Sequence, residues 1–212
     1  MKNDVSELNS LWEKRIKDAG ADFVYFVDAS ALPSEAVNGY SCALLFGKAL
    51  SKEYVRAVHD GLPPKTKEIF NTERKLDALS EKVALWLADE GFASAGKLKT
   101  GVLPHKTVAL RAGIGFIGKN NLLVTKEYGC ALMLGRVLTT APFKTTAVEP
   151  MKPECGDCKA CVNACAPGAL KGTAWNINLV REDMITRKLC TLCHRCMVMC
   201  PYTESYMNRE GE

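Results

Sequence analysis

Apolar residues recur at helical spacing near the start of the chain. Val5, Leu8, Trp12, Ile16 and Ala19 share one face of a helix predicted over residues 4–19. Asp4 followed by Glu7 is a capping-box pattern, and Gly20 stops the helix. Residues 21–27 (ADFVYFV) and 40–46 (YSCALLF) then read as two buried strands. Residues 51–61 read as a helix ending before Pro63 and Pro64. A longer helix over 67–90 carries the stripe Leu76, Leu79, Val83, Trp86 and Leu87 and closes at Gly91. Residues 91–104 read as a strand and a turn. A short helix holding Val108 and Leu110 follows Pro104, and a glycine-rich turn spans 113–119. Residues 122–125 and 131–139 read as the strands of a hairpin around Tyr128 and Gly129. The order α-β-β-α-α-β-α-β-β predicts an α/β sandwich with a mixed sheet.

Composition narrows the class. The 212 residues fit one mid-sized domain and a small one. A formal net charge of +4 with no basic run argues against a dedicated nucleic-acid binder. The first residues have no apolar stretch before the first charges, and no segment reaches the length of a membrane span. A cytoplasmic protein is expected, and in that compartment ten cysteines do not read as a disulfide framework. Eight of the ten lie after residue 154, which places a domain boundary near 148 and predicts domains at 1–148 and 149–212.

The cysteine spacing carries the chemistry. Cys155, Cys158, Cys161 and Cys165 form a C-x2-C-x2-C-x3-C run. Cys190, Cys193, Cys196 and Cys200 repeat it, and Pro201 follows. In this pattern three thiolates wrap one [4Fe–4S] cubane and the fourth ligates the other. The spacing therefore predicts one cluster on Cys155, Cys158, Cys161 and Cys200. A second is predicted on Cys190, Cys193, Cys196 and Cys165. Zinc is the competing reading, but it takes two separated pairs rather than six-residue triplets. One departure is that Ala166 precedes Pro167 after Cys165. Cys42 and Cys130 fall in predicted strands and read as buried free thiols.

Gly113, Gly115, Gly118, Lys119 and Asn120 match two nucleotide motifs only on paper. The glycines follow a helix and precede a strand, the reverse of a dinucleotide fingerprint. Asn120 stands where a phosphate loop needs a hydroxyl. Either a structural turn or a backbone platform for a flat ligand fits what is left.

The segment RAGIGFIGKNNLLVTKEYGCALMLGRVLT, residues 111–139, resembles the core motif of epoxyqueuosine reductase, and the double cysteine run resembles the module that follows it there. The related reductive dehalogenases share this plan. The resemblance implies an α+β fold: a nitroreductase-like α/β sandwich followed by a bacterial-type double [4Fe–4S] ferredoxin module. It implies base-off cobalamin as a second cofactor. Gly113, Gly115, Gly118, Lys119, Asn120, Leu123, Val124 and Thr125 would lie along the corrin, with Leu134, Gly135 and Thr191 approaching it.

The family's acidic proton donor would fall within residues 99–104, which hold no carboxylate. His105 and Tyr128 are the substitute donors, and each has a structural alternative: opening a helix and packing a turn. His194 reads as a solvated neighbour of the cysteines. The helical-repeat tail that helps hold tRNA in longer members has no counterpart here, so tRNA is not an expected partner.

The expected function is a cobalamin-dependent reductase fed by a low-potential donor such as ferredoxin or flavodoxin. The alternative is an electron-transfer protein that reduces a corrinoid, its own or a partner corrinoid protein's, without an organic substrate. A plain ferredoxin subunit would leave the glycine motif unexplained.

Overall fold

The computed structural model describes residues 5–64, 66–96 and 103–210. The expected cap at Asp4, and residues 99–102 of the stretch without a carboxylate, lie outside the described residues. The elements follow in chain order: α1 (Val5–Asp18), β1 (Phe23–Asp28), α2 (Ser34–Val37), β2 (Cys42–Ala49), α3 (Lys52–His59), α4 (Thr66–Asp89), β3 (Ser94–Ala95), α5 (His105–Arg111), β4 (Gly115–Ile117), β5 (Leu123–Thr125), β6 (Leu132–Thr139), α6 (Ala160–Asn163), α7 (Arg181–Met184), α8 (Arg195–Val198) and α9 (Pro201–Asn208). Among the described residues no helix is long and apolar enough to cross a membrane.

Two compact units emerge. The first comprises Met1–Ala49, Ile69–Gly113 and Met133–Glu149. Its sheet has the order β1-β2-β6-β3. β1 and β2 pair antiparallel, with Val24 opposite Phe46 and Phe26 opposite Leu44. Cys42, Leu44 and Phe46 point into one apolar cluster with Trp12 and Ile16 of α1 and Leu76, Leu79, Val83 and Leu87 of α4. Ala43 and Leu45, on the opposite face of β2, are also fully buried. A strand covered on both faces reads as a continuous apolar run, which is why YSCALLF shows no alternation. Phe143 seals the cluster against Trp12, ring centroids 5.9 Å apart, and against Phe26 at 4.7 Å.

The second unit comprises Leu50–Glu68, Ile114–Leu132 and Pro150–Glu212. Its helices α6, α7 and α8 have four residues each. Helices so short do not hold themselves together. Side chains tie α8, and the longer α9, to the α3 segment. Arg195 Nη1 donates to the carbonyls of Val58 and His59 at the end of α3, each at 2.8 Å. The Tyr206 hydroxyl donates to the Leu50 carbonyl at 2.7 Å, and Arg56 donates to the Met207 carbonyl at 3.2 Å.

Two expectations are corrected here. The ferredoxin module is not a separable body: residues 150–212 close a compact unit only together with two earlier segments, because their own helices offer too little apolar surface. The hairpin is also different. β5 pairs with β4, Phe116 opposite Val124, while β6 joins the large sheet. Part of the expected glycine-rich turn is therefore strand β4.

Candidate functional site

The thiols and the glycine motif both belong to the second unit, and β4–β5 brings them together. Gly115 faces Val124 so closely that an added Cβ would lie 2.0 Å from the Val124 carbonyl oxygen. The hairpin closes through a turn in which Gly118 N donates to Leu122 O at 3.0 Å and Asn121 adopts a left-handed φ of 59°. That turn directs Lys119 and Asn120, both buried, toward the cysteine loops. The Lys119 ammonium donates to the carbonyls of Gly156 at 2.6 Å and Cys158 at 3.1 Å. The Asn120 amide donates to Cys130 Sγ at 3.2 Å and to the Cys196 carbonyl at 3.1 Å, and its Oδ1 accepts from Leu122 N at 3.1 Å.

A cavity of about 200 Å³ opens beside them. Phe116, Gly118 and Val124 form its apolar side, and Cys155, Cys158, Cys161 and Cys200 bring thiols from both runs. Cys200 caps α9. A hydrogen bond with Cys130, opposed by burial and helped by the N–H groups of Tyr202 and Thr203, lowers the Cys200 thiol to about 7. The same bond, with burial, pushes Cys130 well up. Burial, together with the neighbouring Cys200, Cys155 and Cys158, raises Cys161 to about 11. Burial raises Cys196 to about 12, with Cys161, Cys165, Cys193 and Cys190 adding to it. At the cavity rim the Tyr202 hydroxyl donates to Glu154 at 2.7 Å, and that bond raises the phenol to about 12. The arrangement offers sulfur nucleophiles and a phenol–carboxylate pair to one small apolar space.

The cofactor expectations are corrected by this geometry. Among the described residues no group of three or more histidine, cysteine, aspartate or glutamate side chains could hold a metal ion. Sequence spacing sets how cysteines follow one another, but a ligand shell needs sulfurs to converge on one point, and that depends on tertiary placement. The two runs meet without forming that shell, so the two [4Fe–4S] clusters do not fit.

Cobalamin does not fit either. Lys119, Asn120 and Gly115 are engaged as described, within the unit's own framework. Thr125 Oγ1 binds its own turn, accepting from Tyr128 N at 3.0 Å. Leu123 and Val124 are buried in β5. Leu134 and Gly135 stand on β6 in the other unit, where a Cβ on Gly135 would lie 2.5 Å from the Phe46 ring. Gly113 belongs to the other unit too, and Thr191 is exposed. A cavity of about 200 Å³ is below the roughly 300–1,000 Å³ that drug-sized ligands occupy, and a corrin is larger. Electron passage through clusters to a corrinoid falls with these cofactors, as does the corrinoid-reducing alternative.

The remaining sequence candidates are placed as follows. His105 Nε2 accepts from the buried Arg136 at 3.2 Å in the first unit. Tyr128 packs edge-on against Tyr206, centroids 5.7 Å apart. His194 is not solvated: its Nδ1 meets the Tyr54 hydroxyl at 2.7 Å, and burial lowers its pKa. Cys42 is a buried core thiol, raised to about 12 by burial. Sequence reasoning took Cys130 only as a buried free thiol, which it is, and missed its contacts with Asn120 and Cys200 and the roles of Thr203, Tyr202 and Glu154. The spacing of Cys130 ten residues after Asn120, across a hairpin, was the available signal for the first.

No family model matches the chain. It is 34% identical over 146 residues to the epoxyqueuosine reductase of Lactococcus garvieae (strain Lg2), a match covering 62% of this chain and 40% of that one. The Listeria monocytogenes epoxyqueuosine reductase is 36% identical over 121 residues, covering 50% and 31%. The chain thus spans well under half the length of these curated relatives. A solved epoxyqueuosine reductase from Bacillus subtilis superposes with a TM-score of 0.62 at 20% identity, covering 96% of this chain and 67% of that one. A catabolic reductive dehalogenase gives 0.68 at 16% identity, covering 89% and 31%. The chain is similar to epoxyqueuosine reductases over part of its length and has the mixed α/β fold of the solved structures. The expected description of that similarity, as a double-cluster, cobalamin-binding protein, is what the thiol geometry corrects.

Proposed function

We propose that this chain is an oxidoreductase, a reductase working at the thiol-lined cavity of its second unit, in the cytoplasm. The observation that carries the proposal is the convergence of both cysteine runs on one cavity, in a chain similar to reductases. The cavity volume suits a small electrophilic group. The modest net charge of +4 favours a small substrate over tRNA. An epoxide is the first group to offer, because the relatives are epoxyqueuosine reductases. Its reduction to an alkene and water takes two electrons and two protons. Two cavity thiols supply both electrons and both protons as they join in a disulfide, a low-potential protein donor such as ferredoxin or flavodoxin reduces that disulfide back, and the Tyr202–Glu154 pair at the cavity relays a proton to the leaving oxygen.

The test oxidises the cavity thiols to the disulfide, removes the oxidant and all oxygen, and titrates the protein with reduced methyl viologen. The expected result is reversible uptake of electrons that Cys155→Ser and Cys200→Ser diminish, and faster viologen oxidation when epoxyqueuosine nucleoside is added. A wild-type protein that takes up no electrons overturns the proposal.

A further inference from the structure

Between α7 and α8 the chain shows solvent an unusual combination. Thr186, Arg187, Lys188, Leu189, Thr191 and Leu192 are all exposed. Leu189 keeps 47% of its surface in solvent and Leu192 keeps 69%. Leu192 adopts a left-handed φ of 55°, and His194, two residues on, does the same at 58°. An L side chain with a bulky γ-branch rarely takes that conformation. Glycine would take it freely. The leucine is held in that conformation with its side chain in water between Cys190 and Cys193, and a partner that covered it would remove the apolar exposure. Beside it stand two cations. Among the described residues neither Arg187 nor Lys188 forms an ion pair.

An apolar centre with a charged rim is the anatomy of a protein interface. We propose that the loop 186–192 docks an acidic electron-carrier protein, its carboxylates facing Arg187 and Lys188 and its apolar patch covering Leu189 and Leu192. The choice of occupant rests on charge complementarity and on the oxidoreductase reading above. Two uncompensated cations attract carboxylates, and the thiol-bearing residues Cys190 and Cys193 flank the contact. A patch of this size makes a small, transient contact, formed quickly through long-range attraction and weakened by salt.

The experiment measures binding and electron uptake separately on the full chain, its cavity thiols first oxidised to the disulfide and oxygen then removed, with an acidic flavodoxin as probe. Binding is read by titration at low and at raised salt. Electron uptake is read with reduced methyl viologen, a small reductant that needs no docking surface. Leu192→Ser and the double variant Arg187→Glu/Lys188→Glu should each weaken flavodoxin binding about tenfold, and raised salt should weaken wild-type binding similarly. Viologen uptake should stay within about twofold of wild type in both variants. The double variant lies outside the strained turn, so it tests the surface even where Leu192→Ser unfolds the loop. Absence of wild-type binding at low salt overturns the docking proposal, as does equal binding by wild type and the double variant. A wild-type dimer that Leu192→Ser dissolves overturns it too, because a second copy then covers the loop. Loss of viologen uptake in wild type sinks the oxidoreductase reading instead, while the binding result still decides the docking.

Discussion

The two units solve the problem of cohesion differently. The first buries large apolar side chains from α1, α4 and a four-stranded sheet in one cluster. The second also buries apolar residues, among them Val55, Phe116, Val124 and Val198, but it includes four-residue helices and is tied in addition by polar side chains reaching backbone carbonyls: Arg195, Lys119, Tyr206, Arg56 and Asn120. Burial of apolar surface is non-directional and tolerates small shifts. Hydrogen bonds to carbonyls are directional and fix loops in one place. The contrast teaches that the cysteine region is shaped by position-specific contacts, as a site must be, whereas the sheet region is shaped by volume.

The largest effect expected from this contrast is in the apolar cluster. Trp12 is 1% exposed, and Trp12→Ala should cost about 3–5 kcal/mol in urea unfolding, through lost burial and the cavity left behind. A loss below about 1 kcal/mol would break the claim that volume holds this unit. Gly115→Val comes next. Its Cβ would lie 2.0 Å from the Val124 carbonyl, so the β4–β5 hairpin must open, at about 2–3 kcal/mol. Hydrogen exchange at Phe116 and Val124 is the readout, and protection equal to wild type would refute the close approach. Lys119→Met removes a buried ammonium from two carbonyls and should cost about 2 kcal/mol. It should also speed alkylation of Cys158, which unchanged labelling kinetics would contradict.

Much of the first unit was legible because its physics is periodic. Leu76, Leu79, Val83 and Leu87 recur at helical spacing and are buried, with Trp86 partly so. Residues 40–46 read as a buried strand because residues 42–46 form an unbroken apolar run. Pairing was not legible: β5 and β6 are separated by an obvious turn at Gly129, yet β5 turns back to β4. Sequence shows that a turn exists but not which strand it serves. At the site, cysteine spacing implied a ligand shell that the thiols do not form. The glycines looked like room for a ligand. Gly115 and Gly129 are instead room for the chain itself, since a Cβ on Gly129 would lie 2.4 Å from Thr203 N. The approach of Gly129 to Thr203 joins residues far apart in sequence, and no local pattern announces it.

Two smaller effects sharpen the comparison. Burial lowers the His194 pKa below its ordinary 6.5. The unfolded chain therefore binds a proton on this side chain more readily than the folded one, and stability falls as pH drops below about 6.5. His194→Gln should flatten that part of the stability–pH curve, and a curve unchanged in shape would show that His194 is not the group responsible. The smallest effect lies on the first unit's surface. Lys14 and Asp18 form an exposed i,i+4 pair, and Lys14→Ala should cost no more than about 0.5 kcal/mol by thermal melting.

The scattered make-up of the second unit has a consequence for synthesis. Its segments Leu50–Glu68 and Ile114–Leu132 leave the ribosome well before Pro150–Glu212, the stretch they pack with. Until then α3 and the β4–β5 hairpin wait with their inner faces open. Closing long loops slows folding, and exposed apolar faces in the meantime invite misassembly. The cysteine runs emerge after both of these segments, so oxidation or chaperone capture during that interval acts on a half-built unit rather than on a finished one.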